Sequence, residues 1–176
     1  MSATTPHGGG AVRDASVAIL NVLNETLRAA DGEQYTTKGP SGATIGGHVR
    51  HTLDHYRKLA DGYQGLTVVD YDRRDRGGTV ETDPASAIEE ARALVNVFAS
   101  LDETHLAFPV RVRAMVTGDG IEAEMDSTVV RELWFASHHA IHHAALMKPI
   151  FEAIGVDLPD AFGRAPSTVN FETAGG

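Results

Sequence analysis

The chain contains no cysteine, and this absence removes several chemistries at once. Disulfide bonds, thiolate zinc sites, iron–sulfur clusters and a cysteine nucleophile are all excluded. Any metal ion that the chain binds must therefore take nitrogen and oxygen ligands. In this sequence that means histidine imidazoles together with carboxylates or water.

Basic residues are also scarce. The 176 residues include 15 Lys and Arg against 24 Asp and Glu, which gives a formal net charge of −9. A chain of this charge lacks the basic face that nucleic-acid phosphates require, and an anionic membrane surface would repel it. We therefore expect neither nucleic acid nor a membrane as a partner.

Long apolar runs are missing as well. None reaches the roughly 18–20 residues that a membrane-spanning helix needs. The first ten residues, Met1–Gly10, are rich in Ser, Thr and Gly and lack the apolar centre of a secretory signal. These features predict a cytoplasmic location.

The hydrophobic pattern predicts four helices, and the length suits one domain with a single core. Two of the helices have clear start signals, Thr44 before the second and Asp83-Pro84 before the third; Ser127 is the expected N-cap of the fourth. Apolar and polar residues alternate between helices three and four, which indicates a two-stranded hairpin. The predicted fold class is therefore all-α, a four-helix bundle with a small β-hairpin between helices three and four. The predicted boundaries are a disordered N-terminus at 1–11, a single domain at 12–176, helices at 12–30, 44–63, 83–101 and 127–154, and the hairpin at 108–125.

Seven of the nine histidines fall in two short segments of the second and fourth predicted helices. Residues three or four apart share a helix face, so each segment can direct two imidazoles at one point. Three histidines around Zn²⁺ or a similar ion leave a coordination position for water. Spacing alone does not rank the pairs, and packed histidines without a metal are the alternative. The histidines concerned are His48, His51 and His55 on the second helix and His138, His139, His142 and His143 on the fourth.

The connection at 65–82 is long and dense in both charges. A solvated surface loop is one interpretation. Because long loops are often functional, a lid over the histidines is the other. In that case Tyr71, Arg74 and Arg76 are candidates for binding an anionic part of a substrate.

Two of these segments resemble the DinB/YfiT-like superfamily of four-helix-bundle proteins, which are described as metal-dependent. The family's second helix opens with Ser or Thr and a hydrophobic residue, as Thr44-Ile45 does, and a ligand histidine follows at the position of His51. Its fourth-helix signature is similar to His139–Leu146. Other stretches, including 69–83, look like an uncharacterised branch of that superfamily. Ala144-Ala145 departs from the Arg-Gly of many relatives.

The resemblance implies His51, His139 and His143 as metal ligands and makes His138 and His142, with His48, neighbouring residues. It also implies a divalent metal, Zn or Ni, and a homodimer. The function implied is a metal-dependent hydrolase or thiol-dependent transferase acting on an unknown small-molecule substrate, with His55 and Glu81 as catalytic candidates. The alternative is a non-catalytic, dimeric metal- or ligand-binding protein of the stress response.

Overall fold

The computed structural model of the chain describes residues 8–39, 42–73 and 77–174, in which helices and short strands are mixed. In these ranges the helices are α1 (Gly9–Leu27), α2 (Gly32–Thr36), α3 (Ile45–Gln64), α4 (Pro84–Ala99), α5 (Glu103–Leu106), α6 (Val129–Ala153) and α7 (Pro166–Ala174). The strands are β1 (Val69–Asp70), β2 (Pro109–Met115) and β3 (Glu122–Thr128), and a 3₁₀ turn spans Thr79–Glu81.

The long helices α1, α3, α4 and α6 each pack against two of the others and enclose the main apolar core. The apolar face of α3 includes Val49, Leu53 and Tyr56, which are all fully buried. The face that the helical period predicted from the sequence therefore lies against the core. A polar contact joins three of these helices inside the core. The Ser137 hydroxyl on α6 lies 2.6 Å from the Ser16 hydroxyl on α1 and accepts a hydrogen bond of 3.3 Å from Tyr56 on α3.

Two helices begin at the capping residues that the sequence predicts. The Thr44 side chain accepts the Gly47 amide at 2.9 Å, and Asp83 accepts the amides of Ala85 and Ser86, with Pro84 in the first turn. The third expected cap is wrong. Thr128, the last residue of β3, caps α6 by accepting the Arg131 amide, while the Ser127 hydroxyl donates to Glu132.

The strands form a mixed three-stranded sheet. The predicted hairpin is confirmed, since β2 and β3 pair antiparallel from Pro109 opposite Thr128 to Met115 opposite Glu122. Strand β1 adds to the other edge of β2 in parallel, with Val69 opposite Val112. Across the described ranges, every helix falls short of the combination of length and apolar character that crossing a lipid bilayer requires.

The predicted fold class, an all-α four-helix bundle with a hairpin, is therefore wrong. The described residues contain seven helices and a mixed sheet, so the architecture combines α and β elements. The missed elements are short or weakly patterned. Helices α2 and α5 have five and four residues, too few for a helical period to show. Strand β1 has two residues and depends on a partner far along the chain.

Candidate functional site

The histidines of α3 and α6 meet because these two helices pack directly against each other. On α3, the apolar stripe faces the core and His51 lies on its flank, half-buried. On α6, the deeply buried residues include Leu133, Ala136 and Ala140. At about 100° per residue, His139 and His143 then lie beside that stripe and point along the seam with α3.

Three imidazole nitrogens converge at this seam. The Nε2 atom of His139 lies 3.0 Å from Nε2 of His51 and 3.1 Å from Nε2 of His143. The three potential ligand atoms all lie within 4.8 Å of one another. A tetrahedral site with zinc–nitrogen bonds of about 2.0–2.1 Å places its nitrogens roughly 3.3 Å apart. The spacing and the all-imidazole donor set therefore fit a divalent metal. We call His51, His139 and His143 the histidine triad.

His48 supports the triad from outside. Its Nδ1 atom lies 2.9 Å from Nδ1 of His143, so one of these rings donates to the other. When His143 is the donor, its Nε2 keeps a lone pair that points to the triad. An outer partner of this kind fixes both the tautomer and the ring orientation of a metal ligand. His48 is 8% exposed, so the pair is held in a largely dry environment.

Burial first, and then the nearby rings of His139, His51 and His48, whose positive charges would repel, together lower the pKa of His143 to about 3. The pKa of His48 is also lowered, first by burial and then by His142. Both rings are therefore neutral at pH 7. A neutral imidazole is the form that binds a metal ion.

Metal-free protein is expected to lose stability as the pH falls from about 6.5 towards 3. Below pH 6.5 the unfolded chain takes up a proton at His143, while the folded chain does not, so acid favours unfolding. This one group lowers the free energy of unfolding by less than roughly 1.4 kcal/mol per pH unit, which is the value for the uptake of one whole proton. Melting temperatures of wild type and His143→Gln between pH 7.5 and 4.5 check it. An equally steep loss in the variant would contradict the assignment to His143.

The other two histidines of the α6 run lie away from the seam. His138 and His142 are both exposed. The ring of His138 packs on Trp134 at a centroid distance of 4.3 Å, and His142 touches the edge of His143 at 5.4 Å. Helical spacing left His138 and His142 as a possible pair of metal ligands. In the structure this pair does not converge with His51.

His55, a predicted catalytic candidate, is buried beside the triad. Its Nδ1–H donates to the His51 carbonyl oxygen at 2.9 Å, and its ring lies 4.0 Å from that of His139. Tyr71, a predicted substrate-binding residue, stacks on the His55 ring at 5.1 Å and is only 7% exposed. The start of the 65–82 connection thus packs against His55 through Tyr71, and the lid over the histidines stays a prediction. Tyr71 itself is a packed side chain.

Sequence reasoning missed Glu132, whose carboxylate is 2% exposed. It accepts hydrogen bonds from the Tyr71 hydroxyl at 2.8 Å, the Ser127 hydroxyl at 2.6 Å and the Arg131 guanidinium at 3.0 Å. Burial, followed by the charge of Glu132, raises the pKa of Tyr71 well above its usual range. The signal was a carboxylate in the first turn of a helix that is apolar nearly all round.

Glu81, the other catalytic candidate, belongs to an ion-pair network with residues of α3. Its carboxylate lies 3.1 Å from the Arg50 guanidinium, which also bonds the buried carboxylate of Asp54 at 2.9 Å. Glu81 therefore has a cationic partner on α3. Arg74 and Arg76, the remaining substrate-binding candidates, lie outside the described residues.

Comparisons with known proteins give one informative likeness. No family model matches the chain. The chain is similar to FK506-binding protein 5 of Rhizopus delemar, with 33% identity over 116 residues, which is 65% of this chain. It spans only 30% of the length of that protein. The likeness therefore concerns a minor part of the fungal protein.

These comparisons correct two expectations drawn from the sequence. The assignment to the DinB/YfiT-like superfamily is wrong, because the similar protein carries the name of an FK506-binding protein. The predicted function as a metal-dependent hydrolase or thiol-dependent transferase is contradicted by the same likeness, since that name describes binding. Both expectations came from the resemblance of the histidine motifs and of other stretches, including 69–83, to that superfamily.

Proposed function

We propose that this chain is a binding protein that holds one divalent metal ion, Zn²⁺ or Ni²⁺, through the Nε2 atoms of His51, His139 and His143. The observation that carries the proposal is the convergence of these three nitrogens, with separations of 3.0 and 3.1 Å along the chain of rings. Imidazole suits both metals, and the chain has no thiolate to compete.

Support for the proposal comes from the surroundings of the triad. His48 orients His143 from outside, and its low exposure keeps competing water away. The lowered pKa of His143 means that no proton must leave that ring before a metal binds at neutral pH. His51, His139 and His143 would hold such an ion with a coordination position left for water or a further ligand.

The test uses the untagged chain after treatment with a chelator. Calorimetric titration with Zn²⁺ and with Ni²⁺ is expected to show one saturable site per chain. Long-range ¹H–¹⁵N spectra of the imidazoles should then show the Nε2 signals of the triad moving together. Absence of saturable binding, or movement of His138 and His142 in their place, would overturn the proposal.

FK506 belongs in the same titration, because the similar fungal protein is named for binding it. A metal-independent isotherm with FK506 would make binding of that compound a second function of this chain. No heat change at concentrations where the metal site saturates would exclude it.

A homodimer and a cytoplasmic location remain predictions. On α6, Trp134 and Leu146 are 48% and 42% exposed.

A further inference from the structure

His55 touches two of the three proposed metal ligands. Its ring centroid lies 4.0 Å from that of His139 and 4.8 Å, edge-on, from that of His51. Its Nδ1–H also donates to the His51 carbonyl oxygen at 2.9 Å. His55 is buried, and a ring in a close-packed interior moves only if its neighbours move with it. The placement of His55 therefore constrains both His51 and His139.

Two aromatic rings hold His55 in turn. The Tyr71 ring is nearly parallel to the His55 ring, with 18° between the planes and 5.1 Å between the centroids. Phe135, one turn before His139 on α6, contacts Tyr71 at 5.4 Å and His55 at 5.8 Å. These distances fall within the roughly 4.5–7 Å of favourable aromatic pairs. We call Tyr71, Phe135 and His55 the ring cluster, and it packs against the triad through His139.

A buried carboxylate fixes the ring cluster at the end away from the triad. Glu132 lies two turns before His139 on the same face of α6. Its Oε2 atom accepts the Tyr71 hydroxyl at 2.8 Å, and its Oε1 atom accepts the Ser127 hydroxyl and the Arg131 guanidinium. A buried carboxylate is costly unless its hydrogen bonds are made. Movement of Tyr71 away from Glu132 would leave this buried charge short of a donor.

We propose that Tyr71 is a positioning residue for the histidine triad. Glu132 holds the Tyr71 ring, and that ring holds His55 in place. His55 in turn keeps the Nε2 atoms of His51 and His139 convergent before a metal ion binds. Rings that are already ordered lose less conformational entropy on binding, so positioning raises the affinity for the metal. The role rests on the proposed function, since it concerns binding of a metal ion at the same three nitrogens.

A positioning role differs measurably from a merely structural one. A residue that only stabilises the fold contributes the same free energy of unfolding with and without Zn²⁺. A positioning residue is coupled to the metal ion. Linkage then requires that its replacement weakens Zn²⁺ binding and destabilises the Zn²⁺-bound chain more than the metal-free chain.

The test titrates untagged, chelator-treated variants with Zn²⁺ by calorimetry. Tyr71→Phe keeps the ring on His55 but loses the bond to Glu132, and we expect about threefold weaker binding, within the range for residues coupled to a site. Tyr71→Leu also loses the ring, and we expect about tenfold weaker binding, the lower end for loss of an outer partner of a metal site. In metal-free Tyr71→Leu, long-range ¹H–¹⁵N spectra should show the imidazole signals of His51 and His139 displaced from their wild-type positions.

Tyr35 provides the matched control. It is fully buried, and its hydroxyl donates to the Val80 carbonyl at 2.7 Å, outside the ring cluster. Tyr35→Phe and Tyr35→Leu should lower the melting temperature and leave the affinity for Zn²⁺ unchanged. If Tyr71→Leu does not fold, the comparison of Tyr71→Phe with Tyr35→Phe decides the question.

The possible failures are distinguishable. Wild-type affinity in the Tyr71 variants, or equal weakening in the Tyr35 variants, overturns the positioning role and leaves the metal site standing. Absence of Zn²⁺ binding by wild type overturns the proposed function and the positioning role together.

Discussion

Replacing His139 by alanine is expected to abolish measurable binding of Zn²⁺ at the triad. His139 is the central ring, with its Nε2 atom 3.0 Å from His51 and 3.1 Å from His143. Loss of an outer-shell partner typically costs a metal site 10–100-fold in affinity, and loss of a ligand costs more. His48→Ala should therefore weaken binding by about 10–100-fold, because His48 only orients His143. Calorimetric titration of each chelator-treated variant provides the measurement.

The neighbouring histidines are the control for this series. His138→Ala and His142→Ala remove exposed rings from the same helix and should leave the affinity unchanged. Circular dichroism of each variant shows whether α6 is intact. If His138→Ala weakened Zn²⁺ binding as much as His139→Ala, the ligand set proposed here would be wrong.

Gly46→Ala is expected to destabilise the folded chain, although alanine normally stabilises a helix relative to glycine by roughly 0.5–1 kcal/mol. A Cβ at Gly46 would lie 2.1 Å from the Glu81 carbonyl oxygen and 2.7 Å from Cε1 of Tyr35. The Tyr35 hydroxyl in turn donates to the Val80 carbonyl at 2.7 Å, so backbone and ring have no space to retreat. Overpacking of this kind costs typically 1–3 kcal/mol, and a clash with backbone falls at the upper end.

Thermal unfolding checks this expectation. For a chain of this length, about 3 kcal/mol corresponds to a fall in Tm of roughly 6–12 °C. Gly32→Ala is the matched control, because nothing lies within 4 Å of a Cβ at that helical position. Its Tm should stay the same or rise. A Tm for Gly46→Ala at or above that of wild type would show that the 3₁₀ turn and Tyr35 can move away from α3.

The limits of sequence reasoning are clearest on α6. Its pattern predicted the helix correctly, but apolar residues occur nearly all round it, so the buried stripe could not be identified. Trp134 and Leu146 are apolar yet exposed, while Ala136 and Ala140 carry the packing. The rotation of α6 about its axis decides which histidines face α3. That rotation depends on contacts with the neighbouring helices, which local periodicity does not contain.

The choice of histidines had a further weakness. Spacing left two pairs open, and only the family resemblance ranked them. The comparisons contradict that resemblance. The case for His51, His139 and His143 now depends on their geometry alone. Glu132 and the supporting role of His48 could not be read from spacing, because both depend on contacts between different elements.

The sequence by itself determined the long helices, two of their caps, the β2–β3 hairpin and the placement of each histidine cluster on one helix. These features follow from local periods, capping residues and i, i+4 spacing, all of which act within a few residues. Only the tertiary structure decided the parallel pairing of β1 with β2, the packing of Phe162 and Gly163 against α6, and the meeting of His51 with His139 and His143. Each of these joins segments far apart in the chain, and their contacts exist only once the core has packed.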